Sequence, residues 1–223
     1  MPTLQFDRAQ NAPSTAPILL LAHGAGAPMD SDFMQTMTAQ LTARNISIAR
    51  FEFAYMAACR IGPGRKPPSK MPLLLQEYRE ALAALRKRYT ETPLLIGGKS
   101  MGGRAASMIA AESFDQQLIK GCVCLGYPFH PPNKPDALRT SHLETLQCPT
   151  LIVQGERDPF GGRDEVASYN LSPAIQVAWI GDGDHDLKPR KTSGLTMAIN
   201  LASAADAVAA FALAASKSRR RAK

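Results

Sequence analysis

Leu94-Leu-Ile-Gly-Gly-Lys-Ser-Met-Gly-Gly-Arg104 passes from a short apolar segment through two glycines to a lysine and a serine, then to a methionine and two more glycines. Within it, Gly98-Lys99-Ser100-Met101-Gly102 fits the G-x-S-x-G pattern, in the context that pattern requires: an apolar strand before and a helix after, over residues 101–112. The glycines are needed because the turn is so tight that side chains two residues either side of the serine would collide with neighbouring backbone. The turn leaves the Ser100 hydroxyl protruding at a sheet edge. It also places it at a helix N-terminus, where the dipole favours a developing negative charge. Ser100 is therefore read as a nucleophile.

Outward from this turn the chain alternates short apolar runs with amphipathic stretches. Residues 17–22 predict a buried strand ending at His23-Gly24. Asp30 or Ser31 can cap the next helix, with Met34, Met37 and Leu41 inward and an end at Asn45. Residues 46–51 predict a second strand. Residues 72–89 predict a helix with Leu75, Tyr78, Leu82, Leu85 and Tyr89 on one face. Strands follow at 121–125, 150–153 and 175–180, and Met197, Leu201, Ala204, Val208 and Phe211 stripe the last helix. The expected fold is α/β, with about six mostly parallel strands and helices on both faces. Two connections, 54–71 and 127–149, read as long and irregular; they follow strands and should shape a site over the carboxyl edge of the sheet.

A serine hydroxyl needs a base within hydrogen-bond reach. Of four histidines, His185 in Gly181-Asp-Gly-Asp-His-Asp186 lies just past the last strand, at the same edge as Ser100. The base in turn needs a carboxylate to fix its tautomer. Asp184 and Asp186 are poorly placed, because side chains of adjacent residues diverge. Asp158, in Gln154-Gly-Glu-Arg-Asp-Pro159, is the better acid, with Glu156 and Asp164 as alternatives. Oxyanion donors are expected from the Met101 amide and from Gly24 and Ala25 in His23-Gly-Ala-Gly26, whose glycines would let backbone approach closely. His23 itself reads as a brace for that loop. The aspartates around His185 lack the spacing of a calcium loop and a second histidine for zinc, so no metal site is expected, and the chemistry calls for no cofactor.

The chain has 223 residues, 45% hydrophobic and 20% charged, enough for one domain with a sizeable core. The net charge of +7 counts weakly towards nucleic acid, because Lys217, Arg219, Arg220, Arg221 and Lys223 crowd the C-terminus and leave +2 for the rest. Cys59, Cys122, Cys124 and Cys148 contain no C-x-x-C pair. They read as reduced thiols, with Cys122 and Cys124 on one strand face. Residues 195–215 are apolar but mostly alanine and carry Asn200 and Asp206, so they read as a helix of a soluble fold, not a membrane span. The N-terminus lacks the layout of a signal peptide, and the expected location is cytoplasmic.

Ser100, Asp158, His185 and the His-Gly-Ala-Gly turn together resemble the α/β-hydrolase superfamily over residues 17–215. Residues 1–16 then read as an N-terminal extension and 216–223 as a basic, disordered tail. Four stretches are more specific: residues 23–33, Arg50-Phe-Glu-Phe53, residues 97–104 and Gly126-Tyr-Pro-Phe-His-Pro-Pro132. They resemble a small lidless branch that includes bacterial predicted hydrolases, the testis-expressed homologue and the hydrolase-like domain of an NSL-complex subunit. The resemblance implies the fold, the triad and no cap domain, but no defined substrate. Dienelactone hydrolases are similar more loosely and carry cysteine where this chain has Ser100. The implied activity is serine-dependent hydrolysis of an ester, thioester or other activated acyl group on a small molecule. The opposed reading is a non-catalytic binding or scaffold module with a protein partner, and a third is acyl transfer to an acceptor other than water. Lys99, Arg104, Arg60, Phe129 and His130 are candidate substrate contacts; the basic residues Arg60, Arg65, Lys66 and Lys70 would suit an acidic substrate, but their loop reads first as a solvated charged segment, and the alternative for Arg104 is a pair with a nearby carboxylate.

Overall fold

The computed structural model describes residues 3–217 except 11, 14, 63 and 65. Arg65 and most of the expected basic tail, residues 218–223, lie outside the described residues. Seven strands form one sheet: β1 (Leu4–Asp7), β2 (Ile18–Ala22), β3 (Ser47–Phe51), β4 (Leu94–Lys99), β5 (Gly121–Leu125), β6 (Thr150–Gly155) and β7 (Ile175–Ile180). Their order is β1-β3-β2-β4-β5-β6-β7, with only β1 antiparallel to its neighbour. The helices are α1 (Asp32–Thr42), α2 (Ala54–Ile61), α3 (Met71–Arg88), α4 (Met101–Asp115), α5 (Arg163–Val166) and α6 (Met197–Lys217).

The strands read as near-continuous apolar runs because both faces of the sheet are covered. Successive residues feed opposite layers: Ile18 and Leu20 pack with α3 and α4, Leu19 and Leu21 with α1 and α6. Cys122 and Cys124 share the first layer, Val123 and Leu125 the second. Chain order reverses at β2, whose two neighbours are β3 and β4. The loops after β2 and β4 therefore splay to opposite faces and open a crevice between their carboxyl ends. His23 and Ser100 both lie at that crevice.

Several expectations change. The N-terminal extension contributes β1, whose residues pair with β3 and whose Phe6 ring stacks on Tyr89 at 5.2 Å. Four residues with two inward positions are too few to show a period. The first irregular connection begins with α2, favoured by the good helix formers in Ala-Tyr-Met-Ala-Ala and by the Ala54 N–H, which donates to Glu77 Oε2 at 2.8 Å. In α3 the deeper position is Leu74; Leu75 is half-buried. Ser31 is the N-cap position of α1, but its side chain makes no capping bond, and the Asp30 carboxylate goes to Arg60. Helix α6 continues through Ser216 and Lys217, two residues assigned to the tail. It is the one helix among the described residues long and apolar enough to cross a bilayer. Its Leu201, Ala204, Ala205 and Val208 face is buried on the sheet.

Candidate active site

Ser100 joins β4 to α4 with φ 51° and ψ −115°, a conformation side-chain-bearing residues rarely adopt. Its neighbours explain the glycines. A Cβ on Gly98 would lie 2.5 Å from the Gly102 carbonyl carbon and 2.7 Å from Ala22 O; one on Gly102 would lie 2.5 Å from His23 O. The turn thus packs backbone on backbone against the end of β2, and the Ser100 N–H is tied to Leu125 O at 2.9 Å.

The structure brings Ser100, His185 and Asp158 together. His185 Nε2 is 2.9 Å from Ser100 Oγ and His185 Nδ1 is 2.8 Å from Asp158 Oδ2. Asp158 is 2% exposed. A buried carboxylate must be surrounded by donors. Besides His185 they are Gln154 Nε2 at 3.0 Å to Oδ2 and the Phe160 N–H at 2.9 Å to Oδ1. With Nδ1–H given to Asp158, Nε2 faces Ser100 as an acceptor, the tautomer a general base requires. The alternatives lie elsewhere. Glu156 Oε2 accepts the Asp182 N–H and Oε1 pairs with Arg163, while Asp164 has no bond to the ring. Asp184 accepts the N–H groups of Asp186 and Lys188, and so folds the histidine loop instead of reaching the imidazole.

His23 braces the loop after β2. Its Nδ1–H donates to Gly24 O at 2.7 Å, Nε2 accepts the Phe53 N–H at 3.1 Å, and burial lowers its pKa. The Tyr55 hydroxyl donates to Ala25 O at 3.0 Å. Gly24 and Ala25 consequently stand across from Ser100 in a cavity of about 310 Å³, lined also by Phe33, Met34, Lys99, His185 and Asp186. The close-approach argument for Gly24 and Gly26 is not met: a Cβ on Gly24 would make ordinary contacts of 3.6–3.8 Å with Lys99 and Ser100, and one on Gly26 would touch nothing. The two long connections do not line this cavity either. The β2–α1 loop and the start of α1 do, because the reversal of chain order at β2 puts them beside Ser100.

A profile of the alpha/beta hydrolase domain matches residues 15–213. The chain belongs to the alpha/beta-hydrolase family. Solved structures with the same fold include Est1E from Butyrivibrio proteoclasticus with ferulic acid bound (16% identity, 96% of this chain and 94% of that one, TM-score 0.68). Another is a dienelactone hydrolase from Anabaena variabilis (20%, 95% and 90%, 0.69). A third is a serine hydrolase without a lid from Xanthomonas campestris (14%, 82% and 80%, 0.62).

In this chain the candidate substrate contacts separate. Lys99 lines the cavity, but its Nζ donates to His185 O at 2.9 Å, pairs with Asp186 at 3.1 Å and sits 5.3 Å from the Phe33 ring centre. It therefore ties the histidine loop to the end of β4. Burial lowers its pKa, and Asp186 opposes that shift. Arg60 is not brought to the cavity: it lies on α2, clamped by Glu52 and Asp30. Phe129 is buried in the core between Tyr127 and Tyr169. His130 is buried too, with Nδ1 bonded to Pro131 O and Nε2 3.1 Å from Glu165, near enough for an ion pair but off the angle of a hydrogen bond. Neither lines the cavity. Arg104 follows Ser100 by one turn, its N–H donating to Ser100 O at 2.9 Å, and it makes no ion pair with a described residue.

Three supporting residues were not anticipated. Gln154 couples Asp158 to the Tyr127 backbone, accepting its N–H at 2.7 Å and donating to its carbonyl at 3.1 Å. A polar residue ending the apolar run Thr150-Leu-Ile-Val-Gln154 was its signal. Asn200 of α6 donates to Gly181 O and Leu187 O, holding both ends of the histidine loop. The Phe160 ring packs 4.4 Å from the imidazole centre.

Proposed function

We propose that this hydrolase cleaves an ester, thioester or similarly activated acyl group of a small molecule through a covalent acyl-serine. The hydrogen-bonded run Ser100 Oγ–His185 Nε2, His185 Nδ1–Asp158 Oδ2 carries the reading. Ser100 Oγ attacks the acyl carbonyl while its proton passes to His185 Nε2, and buried Asp158 stabilises the imidazolium. The tetrahedral oxyanion is held by the amide of Met101, first residue of α4, and by those of Gly24 and Ala25 across the cavity. His185 then returns the proton to the departing alkoxide or thiolate. A water, deprotonated by His185, next attacks the acyl-serine and releases the acid. The cavity of about 310 Å³ favours a short acyl group, at the lower end of small-molecule sites. Est1E with its bound ferulic acid and the dienelactone hydrolase, which share the fold, are in keeping with acyl hydrolysis.

The test is labelling by a fluorophosphonate, which requires an activated serine. The native chain is expected to label, and Ser100→Ala and His185→Ala are expected to lose the label while staying folded. A folded native chain that does not label overturns the proposal in favour of a binding module.

A further inference from the structure

Most of the described arginines meet an acid; among them Arg44 pairs with Asp206, Arg50 with Asp7, Arg79 with Glu112 and Arg157 with Asp182. Arg104 and Arg139 do not. Neither guanidinium makes a hydrogen bond or ion pair with any described residue, and Arg104 Nε is fully buried without a partner. Leaving such a donor unsatisfied costs its lost hydration. The two are also neighbours: Ser107 Oγ donates to Arg104 O and meets His142 Nε2, the His142 ring lies 6.5 Å from the Tyr127 ring, and the Tyr127 hydroxyl donates to Arg139 O. Burial first and then the Arg104 charge lower the Arg139 pKa accordingly. Two like charges close together, one with a buried orphan donor, suit an anion placed between them.

The surroundings fix both residues' backbones. The Arg104 carbonyl accepts from Ser107 Oγ at 2.9 Å, and Ser107 Oγ in turn lies 2.9 Å from His142 Nε2. The Arg139 N–H donates to Phe129 O at 2.7 Å and its carbonyl accepts from the Tyr127 hydroxyl at 2.8 Å. The 127–149 connection therefore carries Arg139 to the first turn of α4, about 6 Å of helix rise from Ser100.

We propose that Arg104 and Arg139 form an anion site, one helical turn from Ser100, that takes a carboxylate or phosphate group. Planar guanidinium forks match both groups bidentately, and the orphaned Nε supplies one of the required donors. The anion is either part of the acyl substrate or a free ion. The first source rests on the proposed hydrolase activity; binding itself does not.

Binding is measured on Ser100→Ala, where no turnover intervenes, with inorganic phosphate and with succinate as probes. Calorimetry gives affinity and the His142 ring resonances report the site. His142 is held down at about 4 by burial and by Arg104, so a bound anion raises its pKa by on the order of one unit. Arg104→Gln and Arg139→Gln are each expected to weaken binding about tenfold or more, with Arg104→Lys retaining part of it. Arg139 is on a partly exposed connection, so its variant keeps the test alive if Arg104→Gln unfolds. Turnover of a succinyl half-ester against a butyryl ester then separates the sources. A selectivity for the anionic ester that falls in the arginine variants places the anion on the substrate; binding without that selectivity assigns the site to a free anion. Probes that bind no better to the Ser100→Ala chain than to the same chain carrying both glutamine substitutions overturn the proposal.

Discussion

Three donors surround Asp158, and they divide its oxygens: Oδ1 takes the Phe160 N–H, Oδ2 takes Gln154 and His185. Asp158→Asn keeps an acceptor for Phe160 but turns an NH2 towards the imidazole, which then protonates on Nε2 and cannot act as base. On the proposed mechanism kcat falls by about 10⁴ with the fold intact, checked by the rate of fluorophosphonate labelling alongside circular dichroism. Much of this site was legible residue by residue. The G-x-S-x-G steric rule, the position of His185 after the last strand, and the divergence of side chains next to it are local properties. Gln154, Phe160 and Asn200 were not legible, because a glutamine or asparagine in an apolar run acquires a role only from what the fold sets against it. The close-approach role given to Gly24 and Gly26 failed for the same reason: crowding depends on the neighbouring segment, and beside that loop there is room.

At the level of elements, the end of β4 and the loop after β7 are joined by one side chain, Lys99, 7% exposed. Lys99→Met keeps the stem and removes the bond to His185 O. Serine labelling is expected to slow by about 10–100-fold, because the imidazole loses an anchor and misplacement on the ångström scale is expensive. The same substitution changes the pH dependence of stability. Burial lowers the Lys99 pKa in the folded chain, so between that value and the unfolded value near 10.4 the unfolded chain binds more protons. Native stability therefore gains a rising contribution with pH in that window, and the Met variant lacks it. Urea titrations of both chains from pH 8 to 10.5 measure the difference. The charge of Lys99 was visible in the sequence and suggested substrate binding. Its actual partners are 86 and 87 residues away in the chain, brought near by the pairing of β4, β5, β6 and β7.

Across the whole molecule, the reversal of chain order at β2 sets the position of the site, and the outermost strand closes the sheet beside it. Arg50, 3% exposed on β3, is held by Asp7 of β1 at 2.9 Å and by Met29 O at 2.8 Å. Asp7→Ala leaves a buried guanidinium short of its charge partner. A loss of about 1–3 kcal/mol is expected, below the value for a fully buried pair because Asp7 is partly solvated, read from the urea midpoint at constant m-value. The alternation of apolar runs and amphipathic stretches was enough to predict a covered parallel sheet, and it missed β1 and α2, one too short to show a period and the other merged with the Pro- and Lys-rich stretch behind it. By itself the sequence determined the strands and main helices, the serine turn and the best histidine and acid, since hydrophobic period, turn sterics and chain order act over a few residues. Only the tertiary structure decided which loops wall the cavity, that Arg60, Phe129 and His130 stand away from it, that Lys99 anchors the histidine loop, and that Arg104 and Arg139 meet no acid among the described residues. Those outcomes depend on contacts between segments tens of residues apart, where the sheet's pairing order selects each side chain's neighbours.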